Sequence, residues 1–174
     1  MKPRIMVIAL VVLITSALVA GGILNYTEDA KKNIESYIRI DTHGYGAGTV
    51  EVHELRLVPG EVKEQTVLLA CPVENMYDIV ISYEELSEST IKHFTNVEFE
   101  FGGEVLCTAS LAELLAGKTV TFSTQLLAES NQELLVRYSM PHNTGNAAKG
   151  ATADFNLCIA ITSELAGEGV DYGT

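Results

Sequence analysis

Apolar and polar residues alternate along much of the chain, which is the pattern of strands with one buried face. Between Val97 and Phe101, three apolar residues alternate with Glu98 and Glu100. The same spacing recurs in three further apolar sets: Tyr77, Ile79, Ile81 and Tyr83; Leu134, Val136, Tyr138 and Met140; and Phe155, Leu157, Ile159 and Ile161. These segments are predicted to be half-buried β-strands.

Two other segments are predicted to be strands of a different kind. Residues 67–71 are apolar on both faces, which predicts a central strand. Residues 50–57 change phase after Val52, as a β-bulge or bend would require. Turn signals rich in Gly, Pro and Asn separate the strands at residues 44–48, 59–60, 102–103 and 141–146. Many short strands divided by such turns predict an all-β sandwich.

One short helix interrupts the strands. Ser110 is a good N-cap, residues 111–116 place leucines on one face, and Gly117 ends the helix.

Residues 28–41 fit both a helix and a strand. Ala30, Ile34, Tyr37 and Ile38 have helical spacing, whereas Ile34, Ile38 and Ile40 share one face of a strand. A segment with both patterns is suited to a change of partner, and an ordinary edge strand or linker helix fits it equally.

The N-terminus has the pattern of an export signal or a membrane anchor. Lys2 and Arg4 flank the start of an apolar run of 20 residues, 5–24, which as a helix would span roughly 30 Å. The run is long for a signal peptide and long enough for an anchor. In both cases the basic residues place the N-terminus inside and the rest of the chain outside the cell.

The exported part is acidic. Residues 26–174 contain all 23 acidic residues and nine of the 11 basic ones, a formal charge of −14. This charge disfavours binding to nucleic acids and to anionic lipids. We predict four parts: the leader at 1–25, an N-terminal segment at 26–41, a sandwich domain at 42–166 and a flexible tail at 167–174.

Three cysteines, Cys71, Cys107 and Cys158, lie in apolar, strand-like contexts. An odd number leaves at least one thiol without a partner in the same chain. They are interpreted either as small buried hydrophobic residues or as one disulfide with a spare thiol.

No stretch has the pattern of an active site. His53 and Glu54 begin an HExxH-like sequence, but the second histidine position is Leu57, and the surrounding pattern is that of a strand. Serine-nucleophile, phosphate-loop and calcium-loop motifs are absent from the sequence. No catalytic residue, metal ligand or cofactor is therefore predicted.

Four motifs in order along the chain resemble the TasA/camelysin family. GILNYTED at 22–29 resembles the junction that closes the family's leader, and AGTVEV at 47–52 is similar to one of its strands. LVPGEVKEQTVLL at 57–69 resembles its turn leading into a strand, and MPHNTGNAAKGATADFNLCI at 140–159 resembles its C-terminal motif.

The resemblance implies a jelly-roll-like antiparallel β-sandwich with one or two short helices, preceded by a signal or anchor helix. It implies a secreted or cell-surface structural protein whose subunits form biofilm-matrix fibres or pilus-like threads. The N-terminal segment of one subunit would complete the sheet of the next. Ile34, Tyr37, Ile38 and Ile40 would be the donor-strand residues.

The implied partners are other copies of the chain, the signal peptidase that processes the leader, and a cell-surface anchor or minor fibre subunit. The membrane would be contacted only through the leader. Asn25 stands where the family usually has alanine, so cleavage before Tyr26 competes with cleavage after Gly21 or Gly22 and with retention of the leader. Retention would make the protein an anchored surface domain that binds a partner without polymerising. A secreted metallopeptidase is a third hypothesis, for which no zinc triad is found in the sequence.

Overall fold

The computed structural model describes residues 36–146 and 148–163. The leader, with Gly21, Gly22, Asn25 and Tyr26, lies outside the described residues, as do Ile34 and the tail at 167–174.

Strands account for most of the described chain because its apolar residues recur at every second position. In chain order they are β1 (Ser36–Arg39), β2 (Tyr45–Leu55), β3 (Val62–Ala70), β4 (Asn75–Glu85), β5 (Asn96–Phe101), β6 (Glu104–Ser110), β7 (Val120–Leu126), β8 (Asn131–Ser139) and β9 (Ala153–Ser163). One α-helix, α1 (Leu111–Leu115), and two 3-10 helices, at Ile91–Phe94 and His142–Thr144, complete the regular structure of the described residues.

These strands form two sheets. The five-stranded sheet has the order β1-β3-β8-β5-β6, and the four-stranded sheet has the order β2-β9-β4-β7. The paired strands are antiparallel except β1 and β3, which run parallel. The predicted all-β sandwich is thereby confirmed.

The core lies between the sheets and is built from the alternating sets in β4, β5, β8 and β9. Aromatic side chains join the two layers: Tyr83 of β4 packs edge-on against Phe99 of β5, with ring centroids 6.3 Å apart. Tyr138 of β8 packs against Phe155 of β9 at 5.7 Å. The predicted half-buried strands are confirmed, with their inward residues in this core.

Two buried phenols add a polar contact to the core. The hydroxyls of Tyr83 and Tyr138 lie 3.4 Å apart, and the Tyr138 hydroxyl donates to the Gln65 side chain at 3.3 Å. Burial raises the pKa of both phenols well above the ordinary value of 10.0. They are therefore neutral hydrogen-bonding groups that satisfy each other in the core.

The predicted change of phase after Val52 is confirmed as a bulge. The register of β2 against β9 shifts between Val52 and Leu55, and Glu54 has a φ of 49°. Asp154 stabilises this irregular backbone by accepting hydrogen bonds from the Glu54 N–H and the Ser87 hydroxyl, each at 2.8 Å. The same Glu54 N–H lowers the pKa of Asp154 below its ordinary value.

The predicted helix and central strand are also confirmed. Helix α1 begins after Ser110, whose hydroxyl accepts the Glu113 N–H at 3.2 Å while the Glu113 carboxylate accepts the Ser110 N–H at 3.3 Å. This is a reciprocal capping box. Val67 and Leu69 are buried in β3, which lies between β1 and β8.

The turn predicted over residues 44–48 is too long. Gly44, with a φ of 79°, belongs to the turn, but strand β2 begins at Tyr45. Gly46 and Gly48 are therefore strand residues, and their role is one of space, as described below.

The assignment of strand residues to a buried or an exposed face can be tested by shortening one leucine of each kind. We expect Leu134→Ala, at a fully buried position of β8, to lower the free energy of unfolding by about 2 to 5 kcal/mol because it leaves a cavity in the core. Leu106→Ala, at an exposed position of β6, is the matched control and should cost less than about 1 kcal/mol. Urea denaturation measures both, and equal losses would contradict the assigned faces.

Candidate functional site

Strand β1 covers one edge of the five-stranded sheet. Ser36 lies opposite Val67 and Arg39 opposite Ala70, and the Ile40 N–H donates to the Ala70 carbonyl at 2.9 Å. Residues 36–39, which belong to the segment 28–41 whose pattern fits both a helix and a strand, thus form a strand. Because a sheet edge presents unpaired N–H and C=O groups, β1 satisfies those of β3 and presents its own on the other side.

The side chains of this segment point in two directions. Ile38 and Ile40 point between the sheets, where they are 3% and 0% exposed and belong to the core. Tyr37 points outward and is 56% exposed. Of the predicted donor-strand residues, two are thus inserted, one lies on the outer face, and Ile34 is outside the described residues.

Two glycines of β2 face the inserted isoleucines across the sandwich. A Cβ atom on Gly48 would lie 2.7 Å from Cγ1 and 2.9 Å from Cδ1 of Ile38. A Cβ atom on Gly46 would lie 3.0 Å from Cγ1 and 3.2 Å from Cα of Ile40. We call the space bounded by β3, Gly46 and Gly48 and filled by Ile38 and Ile40 the edge slot.

The alternation of apolar residues does not predict the edge slot, because the glycines at residues 44–48 have the pattern of a turn. The available signal was their spacing: glycines two apart lie on the same face of a strand, and glycine inside a strand marks a close approach by another backbone or ligand.

A single tight turn connects the slot's occupant to the rest of the sandwich. The carboxylate of Asp41 accepts the N–H groups of His43 and Tyr45, each at 2.9 Å, and the Asp41 N–H donates to the Tyr45 carbonyl at 2.8 Å. The Tyr45 N–H lowers the pKa of Asp41 below its ordinary value of 3.8, and the His43 N–H adds to this effect. The charged carboxylate therefore favours the closed turn.

The outer face of the five-stranded sheet carries an ion-pair network. Arg137 of β8 donates to Glu64 of β3 at 2.8 Å and to Glu98 of β5 at 2.9 Å, and it also contacts Glu100. Hydrogen bonds to Glu64, Glu100 and Glu98 raise the pKa of Arg137. One cation thus ties three neighbouring strands together, next to the sheet edge that receives β1.

All three cysteines are free thiols. Cys71 is buried and Cys107 and Cys158 are half-buried, which agrees with the interpretation as small apolar residues. Burial raises the pKa of the Cys71 and Cys107 thiols, so both are protonated at neutral pH.

His53 and Glu54 lie at the bulge of β2, between Val52 and Leu55. His53 Nε2 lies 3.1 Å from the Glu51 carboxylate, and both side chains are exposed. Within residues 36–146 and 148–163, no three His, Cys, Asp or Glu side chains are grouped so as to hold a metal ion. In the same stretches, no helix has both the length and the apolar character needed to cross a bilayer.

No protein-family model and no curated protein sequence matches the chain. Solved structures with a partial likeness include the crystal structure of FLHE, at 15% identity and a TM-score of 0.41, covering 69% of this chain and 98% of that one. Aeromonas hydrophila PliG, a periplasmic inhibitor of g-type lysozyme, has 9% identity and a TM-score of 0.36, covering 73% and 96%. PRD1 vertex protein P5 has 8% identity and a TM-score of 0.39, covering 71% and 98%. All three scores are below 0.5, so none of these likenesses bears on the function of this chain.

The Asp41 turn predicts a pH-dependent attachment of β1. A carboxylate whose pKa is lowered by folding stabilises the fold above its unfolded pKa, and this contribution is lost as the pH falls through the folded value. We expect the hydrogen-exchange protection of the Ile40 amide to decline between about pH 5 and pH 2.

The control for this experiment is Asp41→Asn, which keeps an acceptor oxygen but cannot ionise in this range. Its Ile40 amide should show a weaker pH dependence than that of the natural chain, because the other carboxylates are common to both proteins. Equal pH dependence in the two proteins would contradict the role of the Asp41 charge.

Proposed function

We propose that the protein is a structural subunit of an extracellular fibre or pilus-like thread of the biofilm-matrix type, assembled by N-terminal donor-strand complementation. The observation that carries the proposal is the edge slot, in which Ile38 and Ile40 are buried although a single turn joins them to the remaining strands. The same segment of a second copy would make the same contacts.

The strand order supports a jelly-roll fold for this subunit. Without β1, eight strands form two sheets of four, β2-β9-β4-β7 and β3-β8-β5-β6. Successive strands change sheet except at the β5–β6 hairpin, which is the arrangement of a double Greek key. In this description β1 is a ninth strand added to a complete jelly roll.

The energetics favour a strand as the exchanged unit. Burial of an isoleucine side chain contributes about 1.5 to 3 kcal/mol, and each main-chain hydrogen bond adds about 0.5 to 1.5 kcal/mol. Loss of β1 would expose both the isoleucines and the edge of β3. An empty slot is therefore filled, either by the chain's own segment or by that of a neighbour.

The closed chain is the monomeric form in this proposal. A short connection gives the chain's own segment an effective concentration in the millimolar range, so dilute chains complement themselves. Export to the cell surface would concentrate the chains and allow the exchange. A surface anchor or minor subunit would start the fibre, and signal peptidase would act on the leader.

Cross-linking between two differently labelled chains tests the exchange. One chain carries Tyr37→Cys and the other Leu68→Cys, two positions that are register neighbours in β1 and β3, in a background with the native cysteines replaced by alanine. Co-produced in an exporting host and treated with a short bis-maleimide, they should give a covalent dimer, because β1 of one chain lies on β3 of the other.

Thr121→Cys, at an exposed position of β7 in the other sheet, replaces Leu68→Cys in the control pair. The control should give no more dimer than random collision. A Tyr37–Leu68 yield at the level of the control would contradict strand exchange.

The N-terminus of the recovered protein tests the export part of the proposal. We expect electron microscopy of the surface fraction to show fibres. N-terminal sequencing of their subunit should give a first residue between Gly22 and Tyr26. A chain that still begins at Met1, in membranes and without fibres, would instead identify an anchored surface domain.

A further inference from the structure

We propose that Gly46 and Gly48 are specificity-determining residues of the edge slot, which select a segment with bulky apolar side chains at alternate positions, such as Ile38 and Ile40. The occupant is the segment 36–40 of a second copy of this chain. This inference rests on the proposed function for the exchange between chains, but the selection itself also operates within one chain.

The backbone conformation does not require glycine at either position. Neither Gly46 nor Gly48 has a φ in the left-handed region, unlike Gly44 and Gly60. Both lie in the regular ladder between β2 and β9, opposite Ile161 and Ile159. Any residue could adopt this backbone, so the need for glycine comes from the space above it.

The two glycines meet different parts of the inserted segment. The close atoms above Gly48 are the Cγ1 and Cδ1 atoms of Ile38, which belong to a side chain alone. The close atoms above Gly46 include the Cα of Ile40 and the carbonyl oxygen of Arg39, at 3.2 Å and 3.3 Å, which belong to the backbone. Gly48 therefore selects the size of the side chain, and Gly46 sets how closely the incoming strand approaches.

The sizes of the residues that face each other across the edge slot also change along its length. Beyond the glycines, the next inward residue of β2 is the buried Val50, while the next inward residue of β1 is the small Ser36. Small residues of β2 thus face large residues of β1 near the turn, and the relation reverses away from it. A segment shifted by two residues would place isoleucine against valine, so the slot reads register as well as size.

Four pairings in the cross-linking experiment test the selection between chains. Donors carry Tyr37→Cys with or without Ile38→Ala, and acceptors carry Leu68→Cys with or without Gly48→Ala. On the acceptor with Gly48, we expect the Ile38 donor to give more dimer than the Ile38→Ala donor. Gly48→Ala should reverse this preference and change the ratio of the two yields by about tenfold, since contacting sites of this kind are strongly coupled. The reversal is expected because the Ile38→Ala donor vacates the space that the new Cβ needs, whereas the acceptor's own Ile38 does not.

Gly46→Ala provides the discriminating control. Shortening Ile40 to alanine leaves the Cα and carbonyl contacts in place, so Ile40→Ala should rescue Gly46→Ala less than Ile38→Ala rescues Gly48→Ala. Thr49→Ala, on the exposed face of the same strand, should leave the yield unchanged. The same preference for the Ile38 donor over the Ile38→Ala donor on both acceptors would overturn the proposal.

A measurement within one chain separates this inference from the proposed function. In the full chain, Gly48→Ala should accelerate exchange of the Ile40 amide, and adding Ile38→Ala should slow it again. Recovery in this measurement without any dimer between unaltered chains would support the selection and contradict the fibre. No recovery would overturn the selection, whatever the state of assembly.

Discussion

The sandwich depends on how it closes the edges of its sheets. Alternating apolar residues bury one face of each sheet against the other, but they leave the backbone groups of the last strands unpaired and the sides of the core open. At one side of this molecule, β1 solves both problems: its backbone pairs with β3, and its isoleucines close the gap above β2. Among the described strands, β1 is the most N-terminal, and it also covers the open side of the core.

This double role explains why the edge can be both stable and exchangeable. Strand β1 is held by main-chain pairing with β3 and by the burial of Ile38 and Ile40 in the core. Neither of these depends on the connection through Asp41, which fixes only whose segment is bound. Because the contacts in the two forms would be the same, concentration and the stability of the turn decide between them.

The sequence contained most of the local structure but little of the pairing. Alternation identified the inward faces of β4, β5, β8 and β9, because each faces the core on one side only. The capping residues around Ser110 located α1, and the phase change after Val52 located the bulge. These features depend on neighbours in sequence, which is why pattern alone sufficed.

Pairing and close approach depend on residues distant in sequence, and here the pattern was insufficient. No periodicity shows that β1 lies beside β3, since residues 28–41 fitted a helix equally well. Glycine commonly marks turns, so the turn at Gly44 was extended over Gly46 and Gly48. Gly46 and Gly48 differ from turn glycines because Ile38 and Ile40 pack closely against them. This contact can be recognised only when the positions of the strands are known.

The cost of glycine in a strand gives this relation its meaning. Each glycine in a strand destabilises the fold by about 0.5 to 1 kcal/mol relative to alanine, through the entropy of the unfolded chain. When Ile38 and Ile40 are bound, their burial contributes about 1.5 to 3 kcal/mol each, which exceeds that cost. With the slot empty, the cost remains and the gain is lost. Strand β2 is therefore more stable when the edge slot is occupied. Gly46 and Gly48 lower its stability when the slot is empty, and they make room for Ile38 and Ile40 when it is filled.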